Sequence, residues 1–204
     1  MISPHYQWDF PAVANEAAAK EIAETFGVSE LVAKILVNRG YDTIETANAF
    51  LRPGVEGLYD PFLLHDMDVA IARIMTAIDN GEKIVVYGDY DVDGITSTAI
   101  MTWALELMGA DVSYYVPNRF KDGYGPNLAQ YQRLAGEGMQ LLITVDNGVS
   151  GRYEVAWLMN NGVDVIVTDH HEMPAELPEA VAVVHPRHPE GAYPFGGLSG
   201  AGVA

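Results

Sequence analysis

Apolar positions recur at helical spacing through the first part of this chain, then settle into short runs alternating with helical patterns from Lys83 onward. "NEAAAKEIAETFG" reads as an amphipathic helix with Asn15 as N-cap and Gly27 as its stop, and "SELVAKILVNRG" as a second from Ser29 to Gly40. "TIETANAFL" suggests a third short helix, and the Pro- and Gly-interrupted "RPGVEGLYDP" a linker. "HDMDVAIARIMTAIDNG" then places Val69, Ile71, Ile74, Met75 and Ile78 at helical spacing.

The second part reads as strand and helix by turns. "KIVVY", "DVSYYVP", "QLLITV", "VDVIVT" and "AVAVVHP" are five short apolar strands. Between them, "ITSTAIMTWALELMG", "NLAQYQRLAGEG" (Asn127 as cap) and "RYEVAWLMNNG" have helical patterns. Strands this apolar are buried on both sides, which predicts an α/β fold: a doubly wound, mostly parallel five-stranded sheet with helices on both faces. The opening half of a (β/α)₈ barrel is the competing architecture. Residues 1–60 form a helical N-terminal segment and linker on this reading, and 61–204 the α/β domain. The chain shows neither an internal repeat nor a low-complexity tract.

In parallel α/β sheets, ligands bind at the carboxyl ends of the strands. The five exits here are "GDYDVDG", "PNRFKDGYG", "DNG", "DHH" and "HPRH", all rich in acids, imidazoles, guanidinium groups or glycine. One or two such exits are ordinary turns; five in succession indicate a site. In an extended segment, Asp89, Asp91 and Asp93 share a face, and three converging carboxylates need a proton or a cation to neutralise them. The "DVDG" stretch superficially matches a calcium loop, but that motif needs a preceding helix and a later Glu, whereas a strand precedes here.

Asp146 leaves the third strand where it could bridge two ions. In "DHH", one imidazole can bind metal while its neighbour faces a substrate, and Asp169 can orient a ring by accepting its other N–H. His5 and His65 read as ordinary histidines. Arg119 and Arg187 stand at exits as phosphate clamps, and Gly200 and Gly202 in "GGLSGAG" could cradle a phosphate with backbone N–H groups.

Composition sharpens this chemistry. No cysteine occurs, so a metal must be held by carboxylate and imidazole; that set suits Mn²⁺ or Mg²⁺, in a pair that activates water against a phosphoryl group. The 204 residues are 49% hydrophobic and 19% charged, enough for a sizeable core. No run reaches the roughly 20 apolar residues that span a bilayer, and no signal peptide is visible, so the cytoplasm is the expected location. A formal charge of −17 argues against nucleic acid unless cations bind to the acids or the basic surface lies elsewhere.

In this order the motifs resemble the DHH phosphoesterase superfamily, and within it the branch of single-stranded-DNA exonucleases. The likeness runs through "LYDPFLLHDMDVAIARI", "VVYGDYDVDGITST", "YYVPNRFKDGYG", "LLITVDNGVSG", "VIVTDHHEMP" and "YPFGGLSGAGVA", about the last two-thirds of the chain. It implies Asp91 and Asp93 as metal ligands, Asp146 as the bridging ligand and His170 as a further ligand. His171 would contact the scissile phosphate, Asp89 would be a ligand or would support one, and Arg119 would hold a nucleic-acid phosphate.

The implied activity is 5′→3′ release of mononucleotides from single-stranded DNA in repair and recombination, alongside a single-strand-binding protein or helicase. The resemblance also implies a further metal-binding Asp, a DHH-associated domain and an oligonucleotide-binding fold beyond Ala204. The chain is then an N-terminal fragment, weakly active by itself, with the basic surface mostly elsewhere. Cleavage of short oligonucleotides or cyclic dinucleotides, and a non-catalytic scaffold, are the alternatives within the superfamily. Two departures from its pattern are His185, where Asn is expected before Pro, and Asp122, where Glu is usual.

Overall fold

The computed structural model describes residues 11–54 and 57–204; His5 and the linker positions 55 and 56 lie outside the described residues. Internal contacts divide the chain into two units, Met1–Leu58 and Tyr59–Ala204.

The first unit is built on α1 (Glu16–Phe26), α2 (Glu30–Asn38) and α3 (Ile44–Leu51). Asn15, Ser29 and Thr43 each cap the following helix by accepting a backbone N–H, and Thr46 reaches back to the Thr43 N–H to complete a capping box. The apolar stripes read from the sequence meet in a small core of Ala18, Ala19, Ile22, Ala33, Leu36, Val37 and Ala47.

The second unit begins with a 3₁₀ turn (Pro61–Leu63) and α4 (Met67–Asn80). It continues through β1 (Lys83–Tyr87), α5 (Val92–Leu107), β2 (Asp111–Tyr115), α6 (Leu128–Gly136) and β3 (Leu141–Val145). It closes with α7 (Arg152–Asn160), β4 (Asp164–Thr168), β5 (Ala182–Val184) and the short α8 (Gly200–Val203). All four strand pairings are parallel, in the order β2-β1-β3-β4-β5, so the sheet is open and the barrel alternative falls.

Alternate residues of each central strand feed two cores. Ile84, Val86, Leu141, Ile143, Val145 and Ile166 pack with α4, α5 and α8; Val85, Tyr87, Leu142, Val165 and Val167 pack with α6 and α7. Helices therefore cover both faces, as the doubly wound reading requires. Asp66, in the left-handed region at φ 60°, accepts the Val183 N–H at 3.0 Å and ties the start of α4 to edge strand β5. Arg73 joins Glu82 and Asp164 at 2.5 Å each, linking α4 to the amino end of β4. None of the described helices is long and apolar enough to cross a membrane.

Candidate metal centre

The chain runs from β1 outward to β2, then returns past β1 to form β3 on its other side. The carboxyl ends of β1 and β3 therefore adjoin at the point where strand order reverses, the usual place for a site in an open α/β sheet. β4 lies next to β3, bringing the "DHH" exit alongside.

The first motif does not stay extended, and this corrects the expected reason for its convergence. Only Asp89 belongs to the strand exit; Asp91 is the N-cap of α5, accepting the Gly94 N–H at 2.9 Å, and Asp93 lies inside the first helical turn. The helix begins three residues before the apolar pattern suggested, because Asp91 caps it. The approach of α5 to the strand end depends on Gly94: a Cβ there would lie 2.6 Å from Cα, Cβ and O of Asp89.

The structure brings ligand atoms of Asp89, Asp91 and Asp146 within 4.8 Å of one another, and those of Asp146, His170 and His171 within the same limit. Asp146 belongs to both groups. It sits in the left-handed region at φ 58°, a conformation that L residues seldom adopt, held there as β3 ends. Its Oδ1 is buried and accepts no hydrogen bond, although His170 Nε2 lies 3.0 Å away. Burial and the negative charge of Asp93 push its carboxyl up to about 6, against the opposing pull of His170 and His171. Burial and Asp91 likewise raise Asp89, which is 1% exposed. Crowded acids and an orphaned buried oxygen fit a divalent cation, and the oxygen and nitrogen donors fit Mn²⁺ or Mg²⁺.

Asp93 departs from the grouping expected of it. Its oxygens accept N–H groups of Gly200 (2.7 Å) and Ala201 (2.8 Å), and His170 Nε2 lies 3.4 Å from Oδ2. It thus joins α5 to α8 beside the second ligand group, apart from Asp89 and Asp91. The phosphate-cradle reading of Gly200 and Gly202 is corrected by the same contacts. The Gly200 N–H is taken by Asp93, and the Gly202 N–H by the Ser199 cap at 3.2 Å. Gly200 serves instead as a point of close approach, since a Cβ would lie 2.4 Å from Asp146 Oδ1.

Asp169 organises the "DHH" turn. Its Oδ1 accepts the backbone N–H of His170 (2.7 Å) and His171 (3.1 Å) and the ring N–H of His171 Nδ1 (2.7 Å), while Oδ2 accepts the Val149 N–H. With Nδ1 donating, His171 turns Nε2 outward, where the Tyr124 hydroxyl meets it at 2.9 Å. Burial lowers the His171 pKa, but the hydrogen bond and charge of Asp169, with Asp146 and Asp89, carry it above its ordinary value. A cleft of about 220 Å³ opens beside this ring, lined in part by Gly125, Asn147, Val149 and Glu172.

The fifth exit supports the turn from behind. His185 is 1% exposed; its Nδ1 accepts the Arg187 N–H, so its Nε2–H donates to the His171 carbonyl at 2.9 Å. Arg187 donates to the carbonyls of His170 (2.7 Å) and His171 (2.9 Å), which gives it a partner other than the phosphate expected from sequence. Arg187→Ala should therefore lower Mn²⁺ affinity in the absence of DNA by about 10- to 100-fold, the usual effect of losing a group that orients ligands. Titration calorimetry measures this directly; unchanged metal affinity with weakened DNA binding would return Arg187 to a phosphate role.

Arg119 lies outside the ligand groups, its guanidinium 5.4 Å from the centre of the Tyr90 ring. Sequence reasoning missed Tyr124 and the supporting part of His185. "HPRH" at a strand exit signalled the second, whereas Tyr124 carried no signal beyond its loop.

Residues 83–204 match the DHH family, N-terminal domain. The single-stranded-DNA-specific exonuclease RecJ of Bacillus subtilis is 43% identical over all 204 residues, which cover 26% of its length. The RecJ of Escherichia coli is 35% identical over 175 residues, 85% of this chain and 30% of its own. Among solved structures, RecJ of Thermus thermophilus in complex with Mn²⁺ aligns with a TM-score of 0.66 at 30% identity, over 95% of this chain and 26% of that one. An exonuclease RecJ bound to manganese aligns with a TM-score of 0.63 at 37% identity, over 72% of this chain and 37% of that one. The chain spans about a quarter of the length of the first of these relatives. The family match covers most of the α/β unit and carries both ligand groups: the chain belongs to the DHH family.

Proposed function

We propose that this chain supplies the metal-binding part of a 5′→3′ exonuclease that hydrolyses single-stranded DNA with Mn²⁺ or Mg²⁺. Asp146 carries the reading, because it is the one carboxylate common to both ligand groups. Asp89 and Asp91 complete the first group, and His170 and His171 the second, with Asp93 beside them. Of these two imidazoles, His170 is assigned to the metal and His171 to the phosphate. A pair of divalent ions held there supplies a nucleophile at neutral pH and neutralises charge on a phosphoryl group.

The protein's own groups do the rest. Asp169 fixes the His171 ring so that Nε2 faces the open side of the site, toward the scissile phosphate. Arg119, which lies over the Tyr90 ring, grips a neighbouring phosphate. The likeness to RecJ exonucleases, which are named as specific for single-stranded DNA, supports action on single strands. A role in DNA repair and recombination, in the cytoplasm and with a single-strand-binding protein or helicase, is part of the same proposal.

Full-length protein given Mn²⁺ and 5′- or 3′-labelled single strands provides the test. Mononucleotides released from the 5′ end, with duplex spared, are expected. Cleavage of dinucleotides alone would move the chain to the oligonucleotide phosphodiesterases of the superfamily. No cleavage, with no Mn²⁺ bound, would favour the scaffold.

A further inference from the structure

Of the seven Lys and Arg side chains in Tyr59–Ala204, five donate to a carboxylate or a carbonyl among the described residues. Arg119 and Lys121 donate to none. They flank Phe120, whose residue is 93% exposed, the most exposed large hydrophobic side chain described. The loop that presents the three is held in place from below. Asp122 accepts the Tyr115 hydroxyl (2.8 Å), the Asn118 N–H (2.7 Å) and the Gln130 amide (2.9 Å), and Asn118 accepts the Phe120 N–H at 3.0 Å.

Two further rings continue the surface toward the metal centre. Arg119 lies over Tyr90, the Tyr90 and Tyr124 rings meet edge to face at 6.3 Å, and the Tyr124 hydroxyl touches His171. Unpaired cations interleaved with aromatic faces on an otherwise acidic chain complement one partner well: a nucleic-acid strand whose bases are unpaired. Cations track its phosphates and rings stack on its bases, and a base inside a duplex has no free face to offer.

We propose that Phe120 is a base-stacking residue, which takes one unpaired nucleobase of the substrate strand while a phosphate beside it sits between Arg119 and Lys121. The proposal rests on the single-stranded-DNA reading of the site and adds to it a source of preference for single strands. Stacking needs a flat ring, so Phe120→Trp keeps the function while Phe120→Leu and Phe120→Ala lose it alike. The exposure of Phe120 leaves the fold unaffected by any of the three.

The test uses full-length protein carrying Asp146→Asn, which holds the strand uncut, and equilibrium binding of a 3′-labelled single-stranded oligodeoxynucleotide followed by anisotropy. Phe120→Ala and Phe120→Leu are expected to weaken binding about tenfold, and Phe120→Trp by less than about twofold. An abasic residue moved along the 5′-terminal nucleotides should weaken the Phe120 protein by the same factor at one position, and leave Phe120→Ala unchanged there. Equal binding by Phe120 and Phe120→Ala, leucine performing as well as phenylalanine, or abasic losses that add to Phe120→Ala at every position would each overturn the proposal. Failure of the parent enzyme to degrade single-stranded DNA would sink the exonuclease reading instead, and is seen separately in the cleavage assay.

Discussion

On the proposed exonuclease reading, Asp146→Asn should cost the full-length protein at least about a thousandfold in nuclease activity, yet make the metal-free protein more stable at neutral pH. The activity loss follows from its place in both ligand groups, because stabilising a phosphoryl transition state with bound ions is worth several kcal/mol. The gain in stability follows from the pKa. A carboxyl raised to about 6 by burial and by Asp93, from an ordinary value of 3.8, binds its proton more tightly in the folded state. Its favourable contribution is complete below the unfolded value and is lost as pH rises through about 6. The metal-free parent should therefore lose thermal stability between about pH 4 and pH 6 relative to Asp146→Asn, whose amide has no proton to release.

Asparagine also tolerates the left-handed backbone at this position, so the substitution adds little strain. Mn²⁺ should bind the parent less well as pH falls below about 6, where the ion must displace that proton. Calorimetric melting with and without Mn²⁺ across this range checks all three statements. A variant less stable than the parent at neutral pH without metal would show that crowding of the acids is not what strains this site.

Gly94→Ala is the second large effect. A methyl group there would lie 2.6 Å from three atoms of Asp89, two of them backbone, and neither the strand end nor the helix can yield without moving the other. A loss of about 3 kcal/mol or more is expected, at the upper end of overpacking costs. Asp89, Asp91 and Asp93 sit on the displaced segment, so activity should fall further than stability alone explains. Gly136→Ala is the control: it lies at the end of α6, where an added Cβ meets nothing within 4 Å, and should be neutral or slightly stabilising. Urea denaturation of the two variants separates the outcomes. Equal behaviour would mean that the β1–α5 junction is looser than its packing shows.

Much of the fold was legible because its signals are local. Asn15 and Asn127 cap the helices that follow them, and the apolar runs at Lys83, Asp111, Leu141, Asp164 and Ala182 are all strands. Reading chemistry at the strand exits located Asp89, Asp91, Asp146, His170 and His171, which the structure gathers into two overlapping groups. The illegible contacts join residues far apart in the chain. Nothing near "GGLSGAG" shows that its amides are taken by Asp93, 107 residues earlier in the case of Gly200. Nothing near "HPRH" shows that Arg187 and His185 reach back to the carbonyls of the "DHH" turn.

The sequence by itself determined the strands, their exits and the chemistry that each exit carries, because these depend on residues within one turn or strand of each other. Strand order belonged to the tertiary structure. By placing β2 outside β1, the sheet makes β1 and β3 neighbours and so brings Asp89 and Asp91 against Asp146. It also decided which charged groups are free for a ligand. Among the described residues, Asp93 and Arg187 already hold hydrogen-bond partners within the chain, whereas Asp146 Oδ1 is buried without a hydrogen bond and Arg119 lies over a ring.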